Sequence, residues 1–447
     1  MQIETKNAIY TFFPGLSILV NSELEDEFKH LLPAKVDEEK LIDKTRIELS
    51  DDDLEELIGS LRMITFNVTE ECSYRCSYCI FSGNYEKVRT HSQKKMSFNT
   101  ARKMIDYLVE WISHKKRNLK YNSINIGFYG GEPLLEIHLI EKIMAYTQKR
   151  FREKDLREKF EVRFSMTTNG YLLEGNIIEL LVKNNVTLDI SLDGPREEHD
   201  KFRVTRGGKG TWETIMKNLE TIRLKYPEYY ENNIKFLCNL HPLHDFARID
   251  DFFNDAGNHI DVETVITNTV TMDELKESIK TKILANMKKQ ESLLLLKNMS
   301  SRLDSRLKYK EISDNTKFTA TCMPNEWKLF IDTEGRFHFC EKVKTGFPIG
   351  DVENGFDFEK IRQFYRSWSE FIIKTRCWEC SVWSFCNVCP AHNKKEKEIE
   401  IDCSSRRNDI AVLKEYLTFK EEQDKKIRKS KKIGNIKDYI RQLETFT

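Results

Sequence analysis

Cys72, Cys76 and Cys79 stand within one short stretch, ECSYRCSYCI, with no histidine among them. Three thiolates are one fewer than a closed four-ligand site needs. On a four-iron cluster they would leave one iron open, and an open metal position is what catalytic sites keep and structural sites close. A zinc knuckle completed by a ligand from elsewhere is the alternative. Seven further cysteines crowd the C-terminal part: Cys322, Cys340, Cys377, Cys380, Cys386, Cys389 and Cys403. The run CWECSVWSFCNVC alone would also suit a zinc ribbon. The last of the eleven, Cys238, sits inside the apolar stretch IKFLCNL, where a buried, inert thiol is expected. No serine–histidine or paired-carboxylate motif competes with these thiols for the chemistry.

Such ligands need elements to hold them, and the chain supplies a regular series. β-branched, apolar runs occur at 63–68, 124–128, 162–166, 186–192, 234–240 and 262–266. Amphipathic segments separate most of them, such as NTARKMIDYLVEWISHKK behind Ser97 and TWETIMKNLETIRLK behind Gly210. Six strand–helix units in series imply parallel strands with right-handed crossovers. Eight would close a complete barrel, so the fold class is α/β with a partial (β/α)6 barrel over 62–270. The three-cysteine loop follows its first strand, at the face where barrel active sites lie.

Residues 1–61 form a small N-terminal α+β extension: AIYTFFPGLSILV reads as strands about a Pro-Gly turn, and SDDDLEELIGSLR as a capped helix. Residues 271–316 read as a helical connector, either a packed helix pair or a lid over the substrate. The cysteine-rich unit, 317–405, has few apolar residues, a strand pair turning at Glu334-Gly335, and a need for bound metal to hold it together. Residues 406–447 read as a charged, solvated helix.

The 447 residues carry 72 Lys+Arg against 72 Asp+Glu, so no global field favours nucleic acid or an anionic membrane. No apolar run approaches a membrane span, and the N-terminus shows no signal-peptide pattern. A cytoplasmic protein is expected, and eleven cysteines there point to metal or redox work rather than disulfides.

The spacing Cys72-x3-Cys76-x2-Cys79, with aromatic Tyr78 before the last thiol, resembles the radical S-adenosylmethionine enzymes. Other pieces occur in that family's order: FYGGEPLL after the second strand, TTNG ending the third, ISLDGP ending the fourth, and Arg203 in HDKFRV. The resemblance implies S-adenosylmethionine (AdoMet) as cofactor, with Tyr78, Gly130, Gly131, Glu132, Ser191 and Arg203 around it. Gly130, Gly131 and Glu132 would receive its amino group, and the glycines would let backbone approach the ligand. Ser191 would meet its polar groups and Arg203 its carboxylate. It also implies one-electron cleavage of the cofactor to a carbon radical, with an electron donor such as flavodoxin or ferredoxin.

The C-terminal cysteines resemble the seven-cysteine SPASM domain, found in peptide- and protein-modifying radical enzymes. One spacing departs: Cys386 and Cys389 are separated by two residues where three are usual. The resemblance implies auxiliary clusters, one on Cys377, Cys380, Cys386 and Cys403, the other on Cys322, Cys340 and Cys389. With the first cluster this makes three [4Fe-4S] clusters, and seven cysteines leave one auxiliary iron without a thiolate. The segment YCIFSGNYEKVRTHSQKKMS looks most like maturases that build thioether crosslinks in ribosomally made precursor peptides. A carbon–carbon crosslinking maturase and an anaerobic sulfatase-maturating enzyme are the rivals. The latter is disfavoured because no cysteine lies between Cys322 and Cys340. A non-catalytic iron–sulfur or zinc scaffold is the remaining class.

Overall fold

The computed structural model describes residues 2–4, 9–13, 18–21, 38–83, 89–113, 122–156, 160–241, 243–254, 262–266, 328–342, 346–377, 389–391, 398–401 and 403. The expected connector at 271–316, the tail at 406–447, and Cys322, Cys380 and Cys386 lie outside the described residues.

The expected strand series is present. Strands β4 (Met63–Thr69), β5 (Ser123–Gly130), β6 (Glu161–Thr168), β7 (Thr187–Ser191), β8 (Ile234–Leu240) and β9 (Val262–Ile266) lie side by side in chain order. Every neighbouring pair among them is parallel. The crossovers run through α3 (Phe98–Ser113), α4 (Ile137–Glu153), α5 (Gly175–Lys183), α7 (Trp212–Lys225) and α9 (Phe246–Asn254). Two short helices, α6 (Arg196–His199) and α8 (Pro227–Asn233), flank α7. Helix α3 starts where Ser97 Oγ accepts the Thr100 N–H at 3.0 Å. It buries Ala101, Met104, Ile105, Leu108, Val109 and Ile112, the three-and-four spacing of one apolar stripe.

Register fixes which side chains face the helices. Ile64, Phe66, Ile126, Phe128, Leu188 and Ile190 are buried on one face of the sheet. Thr65, Asn67, Asn125 and Ser165 occupy the other, where Asn125 Nδ2 donates to Ser165 Oγ at 2.8 Å. Because side chains alternate along a strand, this second face carries polar groups between apolar ones such as Met63 and Tyr129. Cys238 is fully buried, in step with Phe236 and Leu240 on β8, so it belongs to the apolar packing. Burial drives its thiol pKa well up, as an inert cysteine requires.

The C-terminal part adds to this sheet. Strand β10 (Lys328–Ile331) runs parallel to β4, and β11 (Phe337–His338) pairs antiparallel to β10. The expected turn at Glu334-Gly335 joins them, held by Asp332, which accepts the Glu334 and Arg336 N–H groups at 3.0 Å. The boundary drawn at residue 317 therefore does not separate two sheets. Helix α10 (Phe358–Thr375) packs back on the N-terminal segment, where Ser369 Oγ accepts the Ile47 N–H at 3.1 Å.

At the N-terminus β1 (Gln2–Glu4), β2 (Ile9–Phe13) and β3 (Ile18–Asn21) form an antiparallel sheet, with Phe13 in register with Ile18. Helices α1 (Glu38–Thr45) and α2 (Asp51–Gly59) follow, α2 with a full Ser50–Asp53 capping box. No helix among the described residues is long and apolar enough to cross a membrane.

Candidate active site

The three-cysteine loop leaves the end of β4 and is clamped on two sides. On one side Gly131 N donates to Thr69 O and Glu132 N to Glu71 O, both at 2.8 Å. On the other the loop before α7 supplies Val204 O and Phe202 O, which accept from Arg75 N at 2.8 Å and Ser77 N at 3.1 Å. Arg75 and Arg206 tie down the Cys72 carbonyl at 2.9 and 3.2 Å. Backbone N–H groups already point at the sulfurs: Tyr74 N reaches Cys72 Sγ and Phe81 N reaches Cys79 Sγ, each at 3.4 Å.

Burial, with Glu132 and the other two thiols adding, pushes Cys72 up to about 12. Burial likewise takes Cys76 to about 12, against Arg203. Among the described residues no three His, Cys, Asp or Glu side chains converge tightly enough for a single metal ion. The thiols nonetheless lie close enough for Cys76 and Cys79 to raise Cys72. That all-sulfur set, buried at Cys72, half-buried at Cys76 and Cys79, and met by amide donors at Cys72 and Cys79, fits a multi-iron cluster better than a single zinc.

Glu132 is 1% exposed and caps a short 3-10 turn at Pro133–Glu136. Pro133 has no N–H to offer, so the carboxylate takes the Leu134 N–H at 3.1 Å. It also accepts from Thr168 Oγ1 at 2.7 Å and Asn169 N at 2.8 Å, which gives the TTNG stretch its part in the site. Burial raises Glu132 to about 7 in spite of these donors. A buried carboxyl so placed has room in its chemistry for one cation, as a bound ammonium group would be.

The two glycines before it have a nearer reason than ligand approach. A Cβ on Gly130 would stand 2.3 Å from Thr69 O, and one on Gly131 2.2 Å from Glu71 O. They let β5 lie against the backbone that leads into the cysteine loop.

Tyr78 and Arg203 are both committed to Asp193, in the ISLDGP turn after β7. The Tyr78 hydroxyl donates to Asp193 Oδ2, and Arg203 Nε donates to the same oxygen at 2.9 Å. Asn239 N donates to Oδ1 at 2.9 Å, and the guanidinium lies 5.5 Å from the Tyr78 ring centre. Burial opposes the Asp193 charge, but Arg203 and then His199 hold the carboxyl below its usual range. Ser191 ends β7 beside this group, 9% exposed. The structure thus brings the cysteine loop, Glu132, Ser191, Tyr78 and Arg203 to neighbouring strand ends. In sequence Asp193 is only part of a turn; nothing local ties it to Tyr78, 115 residues away.

Of the C-terminal cysteines, Cys340, Cys377, Cys389 and Cys403 are described and partly buried against the core. Cys340 Sγ lies 3.1 Å from Glu341 Oε2, and Lys328 pairs with that carboxylate at 2.7 Å. Burial opposes the Glu341 charge, but Lys328 and Lys342 hold the carboxyl at about 2.

Comparison with known proteins agrees with this geometry. A family model described as the radical SAM superfamily matches residues 66–256. An uncharacterized protein of Methanocaldococcus jannaschii is 24% identical over 71% of this chain and 99% of its own length. The radical SAM cyclopropyl synthase TigE of Paramaledivibacter caminithermalis is 30% identical over 36% of this chain and 33% of its own. A cysteine-type anaerobic sulfatase-maturating enzyme of Clostridium novyi is 26% identical over 43% of this chain and 48% of its own. The chain thus spans a third to a half of these two functionally named relatives. Among solved structures, native anSMEcpe with bound AdoMet superposes with a TM-score of 0.58 at 15% identity, over 82% of this chain and 99% of that one. That likeness is one of fold. Residues 66–256, the part of the chain that matches the radical SAM superfamily model, hold the cysteine loop, Glu132, Ser191, Asp193 and Arg203.

Proposed function

We propose that this chain is a radical SAM peptide maturase that forms thioether crosslinks, joining a cysteine sulfur to a carbon of a precursor peptide. The observation that carries the radical step is the buried Glu132 carboxyl, held by Thr168 and Asn169 at the strand end that is hydrogen-bonded to the three-cysteine loop. Cys72, Cys76 and Cys79 would hold the cluster, with Glu132 and Ser191 on the amino and polar groups of AdoMet. When bound, these groups supply one-electron cleavage and a carbon radical for hydrogen abstraction. The protein's share is orientation and exclusion of water. Arg75, Arg206 and the strand-end glycines fix the loop, and Asp193, bound to Tyr78 and Arg203, ties it to the turn after β7.

The peptide substrate is supported by relatives named as sulfatase-maturating enzymes of the cysteine and serine types. A solved anSMEcpe of the same fold carries a bound Cp18Cys peptide. The thioether choice rests on the C-terminal cysteine spacing and the segment after Cys79. In this reading Cys377, Cys380, Cys386 and Cys403 hold one auxiliary cluster. Cys322, Cys340 and Cys389 hold another with one iron free of protein thiolate, where a substrate cysteine would be fixed as thiolate. Carbon–carbon crosslinking is the rival.

Co-expression with a small cysteine-containing peptide encoded nearby, then mass spectrometry, tests the reading. A thioether product loses two hydrogens per crosslink and no longer reacts with a thiol-alkylating reagent. The same mass loss with a free thiol would mean a carbon–carbon bond, and a cysteine converted to formylglycine would mean a sulfatase-type maturase.

A further inference from the structure

Arg89 is a buried cation that the radical SAM reading leaves without a task. All three of its guanidinium nitrogens are buried and none has a hydrogen-bond partner. Its Cζ lies 4.0 Å from the Phe81 ring centre, 4.9 Å from that of Phe330 and 5.7 Å from that of Tyr129. Ring faces attract a cation by far less than removing a guanidinium from water costs. The nearest carboxylates are engaged elsewhere. Glu70 accepts from Ser92 Oγ at 2.6 Å, and Glu341 pairs with Lys328 at 2.7 Å. Among the described residues no carboxylate bonds to Arg89, and Glu70 and Glu341 reach it only through their fields.

Phe81, the ring stacked most closely on Arg89, comes two residues after Cys79, and its own N–H points at Cys79 Sγ at 3.4 Å. Arg89 therefore packs on the ring that follows the last thiol of the loop. Arg203 and Arg75 are two further guanidinium groups at the cysteine loop. Arg203 is neutralised by Asp193 at 2.9 Å. Arg75 is bound to the carbonyls of Cys72 and Tyr74. Of the three, Arg89 is the one whose guanidinium is buried without a hydrogen-bond partner.

We propose that Arg89 is the buried counter-charge of the iron–sulfur cluster on Cys72, Cys76 and Cys79, and that it raises that cluster's reduction potential. A [4Fe-4S]2+ core with three thiolates carries one net negative charge. The electron taken from an external one-electron donor makes it two. An unpaired cation nearby stabilises the reduced form more than the oxidised one. Arg89 is a tuning residue: it acts through the field at the cluster and need not touch substrate or AdoMet.

The inference rests on the loop holding a cluster, and the test separates the two claims. Iron content of the wild type against a Cys72→Ala, Cys76→Ala, Cys79→Ala variant decides whether the loop holds one. Dithionite-poised redox titration of the anaerobically reconstituted enzyme, followed by electron paramagnetic resonance, then reads the potential. The first-cluster signal is the one that the triple variant lacks. Arg89→Met and Arg89→Gln should move its midpoint to more negative values with iron content unchanged, and Arg89→Lys should leave it close to wild type. Equal midpoints in all four proteins would overturn the proposal. So would a shift confined to signals that survive in the triple variant. Should Arg89→Met fail to take up iron, Arg89→Lys decides: near-normal iron and potential support a role for charge, and failure of both refutes it.

Discussion

AdoMet binding should follow a bell-shaped pH profile whose acid limb belongs to Glu132. Its carboxyl sits at about 7, raised by burial in spite of three donors. Binding the ammonium of AdoMet requires the carboxylate, so below pH 7 each binding event must first release a proton. Affinity then falls tenfold for each further pH unit, about 1.4 kcal/mol. On the alkaline side the α-amino group of the ligand loses its proton near pH 7.8. Combining the two gives an optimum near pH 7.4 and a dissociation constant roughly six-fold weaker at pH 6. Glu132→Gln removes the charge and turns an NH2 toward the Thr168 hydroxyl or the Leu134 and Asn169 N–H groups. Loss of a charge-assisted hydrogen bond, about 1.5–3 kcal/mol, should weaken binding roughly 10- to 150-fold. The acid limb should vanish with it. Calorimetric titration of AdoMet into reconstituted enzyme between pH 6 and 8.5 is the assay. A wild-type constant that is flat from pH 6 to 7.4, or an acid limb that persists in Glu132→Gln, would refute the assignment.

Other perturbations have equally direct readouts. Wild-type protein should bind about twelve irons, and replacing Cys72, Cys76 and Cys79 with alanine should remove about four together with all AdoMet cleavage; iron analysis and product chromatography check both, and cleavage by that variant would remove the loop from the active site. Gly131→Ala drives a Cβ to within 2.2 Å of Glu71 O, so backbone must move and the hydrogen bonds from Gly131 N and Glu132 N be lost. About 2 kcal/mol or more of stability should go, and first-loop iron with it, and full iron at unchanged urea midpoint would contradict the packing argument. His199 is held neutral at about 4 by burial, against an ordinary value of 6.5. Its Nδ1 accepts the Asp193 N–H at 3.2 Å, which requires the neutral ring. A group with a depressed folded pKa contributes stability that is complete above the unfolded value and lost as pH falls toward the folded one. About 2 kcal/mol should therefore disappear between pH 7 and pH 5 in urea unfolding, and less in His199→Asn.

How much of this can be read from the residues alone depends on the range over which each constraint acts. Strand runs and helical stripes are local, and all six expected strands and their parallel order appear in the structure. The capping box of α2 and the start of α3 behind Ser97 are local too, written in three or four consecutive residues. The cysteine loop and GGEP are legible because spacing and order carry them. What escapes is pairing at a distance. Asp193 reads as a turn residue, yet it receives Tyr78, Arg203 and Asn239 from three separate segments. The strand pair at 328–338 reads as part of another unit because nothing in its sequence names β4 as its neighbour.

The glycines make the same point more sharply. Sequence marks Gly130 and Gly131 as positions needing close approach, but the approaching group is the backbone of Thr69 and Glu71. Residue type reveals that a side chain is intolerable there; only the fold reveals what it would strike. That difference matters for mechanism. A glycine packed on the cysteine loop couples β5 to the loop's geometry, and Glu132, the next residue, is carried by the same strand end. The two hydrogen bonds from Gly131 and Glu132 to the loop fix the carboxylate and the thiols relative to each other. Perturbing Gly131 should therefore disturb iron binding and AdoMet affinity together, whereas perturbing the Glu132 carboxyl should lower AdoMet affinity far more than iron binding. Measured on the same preparations, that contrast separates a residue that positions the loop from one that meets the ligand.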